Sequence, residues 1–254
     1  MTNQEENLSV PQIDVYLVCN AKYHDTNFAR LELLKLLAEH EDISTRVAEN
    51  FSDIEAIKAS TLLITYTCDL RPTEDEQQGL AEFLEEGGRW FALHATNALI
   101  EIVDGKADTP DLAPQFMSLL GSRFIAHPSN TSFTVYVKDE EHVLTQGLTD
   151  FEVDNEEPYY CEPLGEQHVL LEARYNHPST GYVRSDYGTN RSTQPQMYLH
   201  PVGRGEVLYL TLGHCTGKHD MKPLADVVPI VRGSWDTPQY YELLRRGIRW
   251  GALR

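Results

Sequence analysis

The sequence predicts an α/β protein whose core is a doubly wound, mainly parallel sheet, with extra antiparallel strands in its second half. Three observations carry this. Residues 14–19 (DVYLVC), 61–67 (TLLITYT) and 89–94 (RWFALH) are short apolar runs suited to strands. Helical patterns separate them at the spacing of βαβ units, which implies a parallel sheet wound by right-handed crossovers. Beyond Gly121 the chain turns to shorter runs such as 131–138 (TSFTVYVK), which alternate as half-buried strands do.

Each element has a local reason. Residues 1–12 read as a loose tail, and residues 13–254 as one elaborated domain without linker or repeat. The first strand stops at a polar turn, Asn20-Ala21-Lys22-Tyr23-His24-Asp25. Between Phe28 and His40, Leu31, Leu33, Leu34, Leu36 and Leu37 fall at helical spacing. Residues 44–48 suit a second strand and 53–59 a short helix. The almost continuous apolar run 61–67 is expected of a strand covered on both faces. Thr73 with Glu76 forms a capping-box pattern, so a helix should run to about Glu86 and end at Gly87-Gly88. Residues 89–94 make the next strand, and 114–121 a short helix closed by glycine. Residues 123–126, 131–138, 151–160, 168–174 and 196–200 read as strands. Residues 201–205 read as a hairpin turn leading to the strand 206–212. Residues 238–253 form a closing helix with Tyr241, Leu244, Ile248 and Leu253 on or near one face.

Composition narrows the function. A chain of 254 residues buries a sizeable core without disulfides or a structural metal. With 41% hydrophobic and 24% charged residues, wholesale disorder is not expected. Acidic residues outnumber basic ones 39 to 21, for a formal net charge of −18, so nucleic acid and anionic membrane surfaces are poor partners. No stretch approaches the ~18 apolar residues of a membrane span. The first eleven residues are polar and acidic rather than signal-like, which points to the cytoplasm. Cys19, Cys68, Cys161 and Cys215 form no CxxC pair and read as buried free thiols. There is no GxGxxG, P-loop, HExxH or GxSxG, which argues against a nicotinamide enzyme, an NTPase, a zincin or a serine hydrolase.

Histidines then stand out by position. In open α/β sheets ligands bind beyond the C-terminal strand ends. His24 and Asp25 follow the first strand, His94 ends a later one, His127 follows 123–126, and His214 follows 206–212 with His219 five positions on. If these ends share one edge, several imidazoles and a carboxylate converge, fit for acid/base work or metal ligation. His40, His142, His168, His177 and His200 read as satisfied turn histidines. In Glu156-Glu157-Pro158-Tyr159-Tyr160 a carboxylate could orient the histidines or complete a metal site. A tyrosine beside it could stack on a sugar or donate a hydrogen bond. Taken alone, the run is a solvated acidic loop. Cys19 and Cys68 lie near strand ends without a histidine at a recognisable local spacing, and read as structural.

Several short pieces, taken in order, resemble the ThuA-like (trehalose utilisation) family from about Asp14 to Trp250-Gly251-Ala252. They are Tyr23-His24-Asp25, Gly88-Arg89-Trp90-Phe91-Ala92-Leu93-His94-Ala95, Leu119-Leu120-Gly121-Ser122-Arg123-Phe124 with His127-Pro128, and His142-Val143-Leu144-Thr145-Gln146-Gly147-Leu148. Glu156-Glu157-Pro158-Tyr159, Gly203-Arg204-Gly205-Glu206-Val207-Leu208-Tyr209 with Leu212-Gly213-His214, and Gly247-Ile248-Arg249-Trp250 complete the set. The resemblance implies a flavodoxin-like fold similar to class I glutamine amidotransferases. Those enzymes carry a cysteine at a sharp strand-to-helix turn. Here that place holds His94, followed by Ala95-Thr96-Asn97, so thiolate amidotransferase chemistry is not expected. The sequence departs from the family at Asn20-Ala21-Lys22-Tyr23, where many members have a glycine-rich turn, and at Pro158 between acid and tyrosine.

The resemblance implies carbohydrate utilisation, on disaccharides such as trehalose or their oxidised derivatives. The expected protein is a sugar-processing enzyme in which His24 and His94 do acid/base work or ligate metal, and Glu157 orients them or shares a proton. Asp25, Asn97, His127, Tyr159, His214 and His219 are the candidate substrate-binding residues, of which the histidines and Tyr159 could instead complete a metal site. Whether a cofactor is held stays open at this point. A histidine-rich site with one carboxylate would suit zinc or another late divalent ion. The expected partner is a small-molecule carbohydrate, and a homo-oligomer is common for such enzymes. The alternatives are a non-catalytic sugar-binding or regulatory module on the same fold, and a degenerate member acting through protein contacts.

Overall fold

The computed structural model describes residues 12–252, so the expected tail lies outside them except for Gln12, as does Leu253. The chain begins β1 (Ile13–Ala21), α1 (Thr26–Leu37), β2 (Ile43–Ala48), α2 (Ile54–Ala59), β3 (Leu62–Cys68), α3 (Glu74–Glu85) and β4 (Arg89–Leu93). A small hairpin, β5 (Glu101–Val103) and β6 (Lys106–Asp108), precedes α4 (Pro114–Leu120) and β7 (Ser122–Ala126). Then come β8 (Thr131–Val137), β9 (Phe151–Glu156), β10 (Tyr160–Pro163), β11 (His168–Ala173), β12 (Gln194–Val202), β13 (Gly205–Leu210) and α5 (Pro238–Ala252).

Local signals explain most boundaries. Asp25 caps α1 by accepting from the Phe28 amide, and Asp53 caps α2 by accepting from Ala56. Thr73 and Glu76 form the expected capping box on α3. Gly121 ends α4 in the left-handed region at φ 72°, where only glycine is free of strain.

The main sheet has nine strands in the order β2-β1-β3-β4-β13-β12-β11-β8-β9. The first five run parallel. The remaining pairs are antiparallel. That is the expected mainly parallel core with antiparallel strands added by the second half. In β3, Leu62, Ile64, Tyr66 and Cys68 face one core and Leu63 the other, the period-2 alternation of a strand buried on both sides. Buried residues of α1 and α5 pack on the first face, and those of α2, α3 and α4 on the second.

Three segments differ from the sequence expectation. The strand expected over 89–94 ends at Leu93, and His94 opens a 3-10 turn with φ 47°. The run 151–160 breaks into β9 and β10, because Asn155 takes a positive φ of 51° and Pro158 has no amide to give a ladder. That break pushes Glu157 out of the sheet toward the histidines. The β5–β6 hairpin has three-residue strands and no alternation long enough to read. All four cysteines are free, with Cys19, Cys68 and Cys215 buried, as expected.

Candidate functional site

β13 lies parallel to β4 with Leu210 opposite Leu93, so the two chains leave the sheet at the same level. β3 pairs with β4 on the other side, and β1 with β3. The C-terminal ends of β1, β3, β4 and β13 therefore deliver His24, Cys68, His94 and His214 to one place. The break after β9 adds Glu157 from above.

Four ligand-capable atoms, from His24, His94, Glu157 and His214, lie within 4.8 Å of one another. His24 Nε2 and His94 Nε2 stand 2.9 Å apart. Glu157 Oε2 is 3.5 Å from His94 Nε2 and 3.9 Å from His24 Nε2. Glu157 Oε1 is 3.1 Å from His214 Nδ1 and 3.4 Å from His127 Nε2. The His94 ring lies between Tyr66 and Tyr159, stacked on both, and the Tyr159 hydroxyl is 3.3 Å from His94 Nε2.

The backbone fixes the tautomers. His24 Nδ1 is 2.8 Å from the Lys22 carbonyl, His94 Nδ1 2.9 Å from the Thr211 carbonyl, and His127 Nδ1 2.6 Å from the Pro128 carbonyl. A carbonyl only accepts, so each Nδ1 carries its proton, and each Nε2 presents a lone pair inward, or a second proton where the ring is an imidazolium. Two bare nitrogens do not rest 2.9 Å apart unless one proton, or a cation, sits between them. His214 Nδ1 is buried without a hydrogen-bond partner, although it faces Glu157.

The electrostatics agree with a shared positive charge. Burial alone would depress His24, but the Cys68 thiol and the Glu157 carboxylate override it and hold its pKa at about 10. His94 is pushed below its ordinary value, first by burial and then by the charge on His24, against the pull of Glu157. For Glu157 burial works upward, but His127, His214 and His24 hold it well below the usual carboxylate range. Without a metal, His24 is thus the imidazolium, His94 the neutral acceptor and Glu157 the counter-ion.

The donor set also fits a divalent cation. Ligands about 2.0–2.1 Å from a tetrahedral zinc stand roughly 3.4 Å apart, near the spacings found here. Protons held by backbone carbonyls on the far nitrogens are the outer support usual for ligating histidines.

Glu156 was missed by sequence reasoning, which singled out its neighbour. It is fully buried and accepts from the amides of Glu157, Gly213, His214 and Ser234 and from the Ser234 hydroxyl. It thereby ties the Glu157 and His214 backbones to each other. The irregularity at Asn155 turns Glu156 inward, and strict alternation from Phe151 and Val153 would have placed Asn155 there instead. Cys68, read as structural, borders the cavity beside His24. Tyr182 also lines it, with its ring centre 5.2 Å from that of His127.

Three expected site residues lie apart from the cluster. Asn97 is buried and donates to Ser122 Oγ at 2.6 Å. His219 is exposed, with Nδ1 2.9 Å from the Asp226 carbonyl. Asp25 caps α1 and pairs with Arg232 at 3.2 Å, anchoring the segment that carries Ser234. Asp25→Ala is expected to lower stability by about 1 kcal/mol through the lost cap, read as a fall in the denaturant midpoint. Of the five histidines set aside, His200 is satisfied by two carbonyls, and His168 pairs with Asp139 at 2.8 Å.

No curated protein sequence matches the chain. Among solved structures, a protein described as ThuA-like from Bacteroides uniformis ATCC 8492 superposes with a TM-score of 0.67 at 19% identity, covering 98% of this chain and 95% of that one. A second protein so described, from Parabacteroides merdae ATCC 43184, gives 0.62 at 16% identity, over 95% and 90%. A β-galactosidase from Rahnella sp. R3 gives 0.53 at 15% identity, covering 80% of this chain and 29% of that one. These likenesses concern the fold. No helix among the described residues is long and apolar enough to cross a membrane. The model of the ThuA family, described as trehalose utilisation, matches residues 15–228, and the chain belongs to that family.

Proposed function

We propose that this chain is a carbohydrate-processing enzyme acting on a disaccharide or a keto-sugar derivative, with its reaction centred on His24, His94, Glu157 and His214. The observation that carries the reading is the 2.9 Å approach of two Nε2 atoms whose Nδ1 protons are already committed to carbonyls. Such an approach has little use in a packed core and an obvious one in a site that holds a proton or a cation. Family membership supports a role related to trehalose utilisation. The order β2-β1-β3-β4-β13 supports a flavodoxin-like core, with the site outside the carboxyl ends where the strand order reverses.

His24, His94, Glu157 and His214 would hold a divalent ion such as Zn²⁺, which would supply Lewis-acid polarisation of a substrate oxygen taken up as a further ligand. The chain's own groups do the rest. His127 Nε2 faces the cavity with its Nδ1 proton fixed, so it can take a proton from substrate. The Tyr159 hydroxyl, with its pKa pushed well up by burial and then by the Glu157 charge, stays protonated and donates to a substrate oxygen. Glu157 offsets the positive charge of the histidines. This set suits proton transfer next to a carbonyl, or hydrolysis or isomerisation of a keto-sugar.

The test is turnover of trehalose, other disaccharides and their keto derivatives by the zinc-supplemented protein, followed by NMR of the products. A new sugar product is expected from at least one of them. Saturable binding without turnover across the panel would contradict the enzymatic reading and leave a sugar-binding module.

A further inference from the structure

The site opens into a cavity of about 90 Å³. Its inner end is His24, Glu157 and Tyr159, and its outer walls are apolar, formed by Ile100, Ile102, Met221 and Leu224. Ile102 and Leu224 are 48% and 55% exposed, though both are large and apolar. They come from separate excursions, the β5–β6 hairpin and the segment after Gly217, and both border the same opening. Such side chains stay uncovered at a cost unless a ligand covers them.

Charge narrows the ligand further. No lysine or arginine lines the cavity among the described residues. Lys22, next to the lining residue Tyr23, is engaged by Asp69 at 2.8 Å. At the inner end, positive charge is confined to the buried centre of His24, His94, Glu157 and His214. A phosphate lodged between the apolar walls would lose its water and find no cation there. Tyr182 is 8% exposed, and its hydroxyl has no hydrogen-bond partner among the described residues, so it is free to meet a substrate hydroxyl.

Resting on the carbohydrate reading above, we propose that the cavity takes an uncharged glycoside with an apolar aglycone. The sugar ring packs against Tyr159, Tyr182 and His127, and the aglycone lies between Ile102 and Leu224. A phosphate in the place of the aglycone is excluded.

Calorimetry on the full chain with one equivalent of Zn²⁺ tests this. The probes are methyl and phenyl gluco- and galactopyranosides in both anomeric forms, and glucose 1-phosphate. The phenyl glycosides should bind about 10-fold tighter than the methyl ones, from the apolar area covered. In the double variant Ile102→Ser, Leu224→Ser that gap should shrink below about 3-fold, and both positions are exposed enough to leave the fold intact. Tyr182→Phe should weaken methyl and phenyl glycosides alike, by roughly 5-fold. Glucose 1-phosphate should bind at least about 10-fold more weakly than the phenyl glucosides. Equal binding of methyl and phenyl glycosides, an unchanged gap in the double variant, or tighter binding of the phosphate overturns the proposal while the carbohydrate reading stands. If the folded protein binds none of these glycosides but turns over a disaccharide or keto-sugar, the proposal alone fails; if it also turns over none of those, both fail.

Discussion

His94→Ala should remove turnover, by at least about 100-fold in kcat, because it takes away one of the four groups that would hold the metal. His94 links every part of the site. Its Nε2 faces His24, Glu157 and the Tyr159 hydroxyl, and its Nδ1 anchors it to the segment after β13 that carries His214. The effect on folding should be far smaller, about 1 kcal/mol. Crowding three imidazoles and a carboxylate into a buried space is itself unfavourable, so removing one relieves part of the cost. Steady-state kinetics beside a denaturant melt separate the two effects. Retention of full activity by a folded His94→Ala protein would refute the assignment.

Glu156→Gln carries the largest expected effect on stability, a loss of about 2–4 kcal/mol. The carboxylate accepts from four backbone amides and one hydroxyl in a fully buried position. A glutamine leaves one carbonyl oxygen for these donors and turns an NH₂ against amides that also donate. No solvent reaches the orphaned groups. The readout is the urea midpoint at constant m-value. A change under about 0.5 kcal/mol would mean that the turns hold themselves, and Glu156 would lose its place as the clamp on Glu157 and His214.

Much of this was legible in the sequence, for identifiable reasons. The β3 run could be read because a strand covered on both faces needs apolar side chains on both. Thr73 and Glu76 marked the start of α3 because their capping box is a local, reciprocal pair of bonds. His24, His94 and His214 stood out because parallel strands send their C-terminal ends to one edge. Other parts depend on contacts far apart in sequence. Nothing near Asp25 says that its carboxylate meets Arg232, two hundred and seven positions on. The choice between Glu156 and Glu157 turns on one irregular residue, Asn155. Cys68 meets His24 only because β1 and β3 are neighbours, which local spacing does not encode.

Zinc titration of the metal-free protein by calorimetry, with the His94→Ala, His214→Ala double variant beside it, tests the central claim most directly. If His24, His94, Glu157 and His214 form one centre, the native chain takes up a single equivalent of zinc. The double variant, folded by circular dichroism, should lose at least about 100-fold in affinity. Equal zinc binding by both proteins, or none by the native chain, would contradict that the four side chains form a metal centre.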